Sequence, residues 1–257
     1  MLHQRIPVPG RAAAVLDIYV QQNDSELEMV RWKKRPAILI LPGGGYNMVA
    51  DREGEPYALR YMGIGFQAFV LTYTVKADFD TTLADAAAAM KLIRDNAEAW
   101  HVDPDKIAVA GSSAGGNLAM WLAARTRPGE PPIPQIDADP VSLHPNALVL
   151  CYPAIEAWTK NHLFFNTAPE GDLFTRVEGM PPSFLWATQG DELVPVEHLL
   201  RYACLLNAAH IPMEMHVYQH GVHGYATADI ATGRVDPHIA TWLPLSIEWL
   251  VNLFDLA

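Results

Sequence analysis

The chain has 257 residues, half of them hydrophobic, which is enough to bury one large core and too apolar for a disordered chain. A formal net charge of −11 argues against nucleic acid or an anionic membrane surface as partner, since both attract basic proteins. Two cysteines give no disulfide framework, and neither a basic start with an apolar run behind it nor a stretch of about 18 apolar residues is present, so the expectation is a soluble cytoplasmic protein.

In chain order, apolar runs at 13–20 (AAVLDIYV), 36–42 (PAILILP) and 66–75 (FQAFVLTYTV) read as strands. Residues 82–100 read as a helix, with Leu83, Ala86, Ala87, Met90, Ile93 and Ala97 on one stripe. A short strand at 106–111 feeds a helix at 117–124, where Leu118, Trp121 and Leu122 share a face. Strands follow at 146–153 and 182–191. A helix at 195–210 carries Pro195 in its first turn. A strand at 213–221 and a helix at 242–257 close the chain. The alternation predicts a mainly parallel sheet with helices on both faces, in one α/β domain over 1–257.

Two stretches break the rhythm. Residues 126–146 are rich in proline and predict an irregular surface loop. Residues 154–181 hold Trp158, Phe164, Phe165 and Phe174 without periodicity. They form a candidate cap-like insertion that would roof a pocket at the carboxyl ends of the strands, or a packed loop with its own aromatic cluster.

The stretch KIAVAGSSAGGNLAM, residues 106–120, predicts strand, sharp turn and helix. Centred on Ser113, the pattern G-x-S-x-G is complete, with Gly111 and Gly115 as flanks; centred on Ser112 it fails, because Ala110 and Ala114 stand there. Glycines two residues either side relieve the crowding at such an apex. Ser113 is therefore the candidate nucleophile, against the alternative of a turn with no chemistry.

A serine hydroxyl needs a base, and the base needs an orienting group. Downstream, Asp191 directly follows a strand, and His220 and His223 follow the next one, in the order serine, acid, histidine. Glu192 is the alternative acid and His220 the alternative base. Asp191 is preferred because it follows the glycine that ends the strand, and His223 because glycines bracket its turn. His216, His220 and His223 lack the accompanying ligands of a metal centre, so no metal is expected. The oxyanion of acyl transfer needs fixed donors: the Ala114 N–H, next after the nucleophile, and N–H groups from the loop Gly43, Gly44, Gly45 after an earlier strand. A plain turn or a phosphate loop is the alternative reading of those glycines, but no G-x-x-x-x-G-K-[ST] pattern is present.

The motifs LPGGGY, HVDPDKIAVAGSSAGGNLA, GDELVP and HGVHGY together resemble the α/β-hydrolase superfamily. More narrowly, they resemble its esterase/lipase branch related to hormone-sensitive lipase and to acetyl-esterase and xylan-esterase-like enzymes. The resemblance implies the α/β-hydrolase fold with about eight strands and no cofactor. It implies Ser113 as nucleophile, His223 as base and acid, Asp191 as orienter, and an oxyanion hole from the N–H groups of Gly43, Gly44 and Ala114. Pro42 stands where the hormone-sensitive-lipase-like branch has histidine, which places the chain nearer the P-G-G-G-Y subgroup. The expected activity is hydrolysis of short acyl esters, acetylated sugars among them, with a small-molecule ester as partner. An amide hydrolase (arylformamidase or peptidase) with the same triad, and a non-catalytic ligand-binding protein on this fold, are the alternatives.

Overall fold

Continuous apolar runs, rather than alternating ones, dominate the middle of the chain, and a strand of that kind needs cover on both faces. The computed structural model describes residues 1–22, 34–156 and 172–256, and supplies that cover. Eight strands form one sheet: β1 (Leu2–Pro7), β2 (Val15–Val20), β3 (Arg35–Leu41), β4 (Gln67–Thr72), β5 (Val102–Ser112), β6 (Ala147–Cys151), β7 (Ser183–Thr188) and β8 (Met213–Tyr218). Their order is β1-β2-β4-β3-β5-β6-β7-β8. The pairs β1–β2 and β2–β4 are antiparallel, and all other pairs are parallel. Every residue of β6 and β7 is buried.

Among the described residues, five helices pack against this sheet: α1 (Glu55–Met62), α2 (Phe79–Asp95), α3 (Ala114–Arg125), α4 (Val196–Ala208) and α5 (Trp242–Leu253). The start of α2 is set by Asp78, whose carboxylate accepts the Thr81 N–H at 2.7 Å and holds its own pKa below the usual carboxylate range through that bond. Helix α3 is buried all round from Ala114 to Ala124, not only on the Leu118–Trp121–Leu122 face. Small residues on its other side let it sink against β5 and β6. No helix among the described residues is long and apolar enough to cross a membrane.

The structure departs from the sequence reading at several places. Strand β1 was not anticipated: its outward residues are polar and exposed, and its pairing with β2, from Leu2↔Val20 to Pro7↔Val15, comes from backbone hydrogen bonds. Helix α1 was also missed. Only Tyr57, Ala58 and Tyr61 mark its buried side. The helix expected over 82–100 spans Phe79–Asp95, and Ala97 stays buried in the turn that follows. Strand β5 begins four residues earlier than expected, and the strands expected to run to 75 and 191 stop at Thr72 and Thr188. Residues 126–146 are irregular apart from a 3-10 turn at Pro140–Leu143, with Ile133 and Leu143 anchored in the core. Of the candidate insertion 154–181, residues 157–171, with Trp158, Phe164 and Phe165, lie outside the described residues. Phe174 is buried in a short turn at Leu173–Thr175.

One ion pair ties four separate segments together. Arg11, in the loop after β1, donates from Nε to Asp85 Oδ1 on α2 at 2.5 Å. The same guanidinium donates to Gln135 Oε1 and to the Thr81 carbonyl, while Asp85 Oδ2 accepts the Thr74 N–H that follows β4. Both side chains are buried, so removing one partner strands a charge without water. The Asp85→Ala variant is expected to lose about 3–5 kcal/mol of stability. Urea unfolding would read this as a lower midpoint at an unchanged slope. A loss below about 1 kcal/mol would mean that water reaches the site.

Candidate active site

At the end of β5 the chain must turn at once into α3. Ser113 sits at the apex with φ 52° and ψ −117°, a backbone conformation that side chains rarely adopt. Three hydrogen bonds hold it there. Its N–H donates to the Cys151 carbonyl at 2.9 Å, and its carbonyl accepts the N–H groups of Asn117 (3.1 Å) and Ala154 (2.9 Å). The flanking glycines are required by space. A Cβ on Gly111 would lie 2.3 Å from the Gly115 carbonyl oxygen, and one on Gly115 would lie 1.9 Å from that of Leu41. Ser112 points elsewhere, sharing a 3.1 Å hydrogen bond with the Tyr57 hydroxyl.

The loops after β7 and β8 bring Asp191 and His223 to this apex. His223 Nδ1 lies 2.6 Å from Asp191 Oδ2, and His223 Nε2 lies 2.8 Å from Ser113 Oγ. Asp191 is buried, and its other oxygen accepts the N–H groups of Leu193 (3.0 Å) and Val194 (2.8 Å), so the carboxylate cannot rotate freely. With Nδ1–H donated to Asp191, Nε2 is left to accept the serine proton. Glu192 and His220 are exposed and outside this relay, and His216 pairs with Glu214 on β8 at 2.9 Å. Among the described residues no group of three or more side chains could hold a metal ion. Cys151, behind the site, is pushed by burial up to about 12, which keeps its thiol neutral.

The glycine loop after β3 lies directly beside the serine. A Cβ on Gly43 would come within 2.9 Å of Ser113 Cβ. Here the geometry differs from the expected trio of donors. The Gly43 N–H is committed to Glu53 Oε2 at 2.7 Å. Among the described residues, the N–H groups of Gly44, Gly45 and Ala114 carry no hydrogen bond to the protein. Gly44 and Gly45 have φ values of 120° and 61°, which turn the chain sharply. The loop is closed by Ala50 N–H to the Gly43 carbonyl (3.0 Å) and pinned to α3 by the Tyr46 hydroxyl, which donates to Asn117 Oδ1 at 3.2 Å.

Two residues of this site carried no signal in the sequence. Glu53 is buried, although a glutamate in DREGEP reads as a solvated charge. Tyr152, at φ 39°, donates its hydroxyl to Glu53 Oε1 at 2.9 Å and packs its ring edge-on against His223 at 5.1 Å. Burial first, and then the Glu53 charge, raise the Tyr152 pKa well above that of free tyrosine. Gly45 was within reach of the sequence, since three glycines in a row offer more than one pair of donors.

Comparisons with known proteins bear on the family and the fold. A sequence profile of the alpha/beta hydrolase fold matches residues 73–176. Carboxylesterase NlhH of Mycobacterium tuberculosis is 30% identical over 235 residues, 77% of this chain and 71% of that protein. The crystal structure of MGS-M1, an alpha/beta hydrolase enzyme from a Medee basin deep-sea metagenome library, is 37% identical, with a TM-score of 0.83 over 100% of this chain and 99% of that one. An acetyl ester-xyloside bifunctional hydrolase from Caldicellulosiruptor lactoaceticus is 29% identical, with a TM-score of 0.83 over 99% of this chain and 97% of that one. The chain spans between 33% and 65% of the length of the first three curated relatives it matches. With the sheet order, the serine turn and these likenesses in agreement, the chain belongs to the α/β-hydrolase family.

Proposed function

We propose that the chain is a serine carboxylic-ester hydrolase of short acyl esters, with acetyl groups on carbohydrates as the first substrates to test. The observation that carries this reading is the unbroken relay from Ser113 Oγ through His223 to Asp191, with both hydrogen bonds at 2.8 Å or less. In this mechanism His223 Nε2 takes the Ser113 proton as Oγ attacks the ester carbonyl. The charge on the resulting oxyanion falls to backbone donors, for which Gly44, Gly45 and Ala114 have N–H groups to spare. The imidazolium, stabilised by Asp191, then returns the proton to the departing alcohol. Water, activated by the same imidazole, releases the acid from Ser113. No cofactor takes part in any of these steps.

Support for an acetylated carbohydrate comes from the similarity to the acetyl ester-xyloside hydrolase, at 29% identity over nearly the whole chain. We also keep the single domain over 1–257, on the strength of one sheet and one core, and a cytoplasmic location, on the strength of two unpaired cysteines.

The test is hydrolysis of p-nitrophenyl esters from acetyl to decanoyl by wild type and Ser113→Ala side by side. Wild type is expected to prefer acetyl or butyryl, and Ser113→Ala to lose about 10⁴-fold or more in kcat. Equal turnover by the two proteins would remove Ser113 from the chemistry, and a decanoyl optimum would overturn the short-acyl reading. Asp191→Asn keeps the shape of the side chain but favours the wrong histidine tautomer, so kcat is expected to drop by about 10³–10⁴. A fall of less than about tenfold would show that Asp191 does not orient the base.

A further inference from the structure

A carboxylate sealed inside a protein carries a large desolvation cost unless several donors meet it. Glu53 is such a group, 1% exposed, and its carboxylate lies against Gly43, as Ser113 does. Its partners are few and specific. Oε2 accepts the Gly43 N–H at 2.7 Å, and Oε1 accepts the Tyr152 hydroxyl at 2.9 Å. Arg52 stands 3.8 Å from Oε1 at the rim. Both bonds reach loops of the candidate site.

The first bond fixes the glycine loop. Gly43 has its N–H on Glu53 and its carbonyl on the Ala50 N–H, so both backbone groups are held by the segment 50–53. That sets the peptide planes that follow and leaves the N–H groups of Gly44 and Gly45 unspent. The second bond reaches the histidine loop. Tyr152 donates to Glu53, accepts the Ala226 N–H at 3.1 Å, and lays its ring against the His223 imidazole. Its left-handed backbone is itself held by its N–H on the Trp186 carbonyl at 2.7 Å. One carboxylate thus touches the supports of both the oxyanion donors and the base, from residues ten and ninety-nine positions away in sequence.

We propose that Glu53 is a positioning residue for ester hydrolysis, which holds the Gly43–Gly45 loop and, through Tyr152, the His223 loop in the geometry that the transition state needs. The proposal rests on the hydrolase reading above. A glutamine at this position keeps the shape but has one acceptor oxygen in place of two, so the Gly43 N–H and the Tyr152 hydroxyl can no longer donate to separate oxygens. Ground-state binding of a small ester makes no demand on those anchors, whereas the oxyanion does.

The test compares wild type, Glu53→Gln and Tyr152→Phe, each normalised to active sites titrated with a fluorophosphonate. Substrate is p-nitrophenyl acetate. The second probe is 1,1,1-trifluoroacetone, whose carbonyl carbon bonds to Ser113 Oγ as the hydroxyl proton passes to His223 Nε2, leaving a bound hemiketal oxyanion. Glu53→Gln is expected to lose about tenfold or more in kcat with KM within about threefold of wild type. Its inhibition constant for trifluoroacetone should rise by the same factor as kcat/KM falls, since both report the oxyanion. Tyr152→Phe should show the same pattern at smaller size. A merely structural role would lower the number of titrated sites and the melting temperature but leave kcat per site and the ketone affinity within about twofold, and that result overturns the proposal. If Glu53→Gln does not fold, Tyr152→Phe decides alone by the same two readouts. A wild type that neither turns over ester nor takes up fluorophosphonate brings down the hydrolase reading and this proposal together; an active wild type with unimpaired variants brings down only the role of Glu53.

Discussion

The structure turns on how closely the first turn of α3 approaches the end of β3. Gly115 lies against the Leu41 and Pro42 carbonyls with no room for even a methyl group, and Gly111 lies as tightly against Gly115. Strands β3 and β5 are parallel neighbours, paired from Ala37↔Ile107 to Leu41↔Gly111, so their carboxyl ends emerge side by side. Close packing at that point goes with the strained turn at Ser113, and it sets that turn against Gly43 at the start of the glycine loop that leaves β3. The serine turn and the start of the glycine loop are therefore products of one steric event between backbone segments.

Sheet order delivers the remaining groups. Strand β6 lies next to β5 and supplies the Cys151 carbonyl that holds the Ser113 N–H, together with the Tyr152 ring beside the imidazole. Strands β7 and β8 follow as the next two neighbours, and their carboxyl-end loops carry Asp191 and His223. Beneath these loops lies an aromatic floor: Trp186 stacks on Trp242 at 5.1 Å and meets Tyr152 edge-on at 4.9 Å. Such rings fill space with few rotatable bonds, so the floor resists the small displacements that would lengthen the relay.

What was legible in the sequence follows from where each constraint acts. Gly111, Ser113 and Gly115 form a local pattern, because the clash they avoid arises within five residues of chain. Asp191 and His223 could be singled out because each lies in the loop after a strand that its apolar run announces. The parallel core was readable for the same reason. The Gly43 N–H was not: its use is decided by Glu53, whose burial arises only when the loop folds back on itself. Tyr152 meets Glu53 across ninety-nine positions, a distance no periodicity spans. Strand β1 escaped notice because its stability comes from backbone pairing at a solvated edge rather than from apolar residues.

Ala154 ties the chain that leaves β6 to the serine turn. Its N–H is held by the Ser113 carbonyl and its own carbonyl by Asn117 Nδ2 at 3.0 Å, so both backbone groups are tethered to the serine turn. The tether works as a firebreak. The chain that continues beyond Ala154 meets this tether before it meets the serine turn. The serine turn is thereby held from the chain that leaves β6 as well as from its own helix.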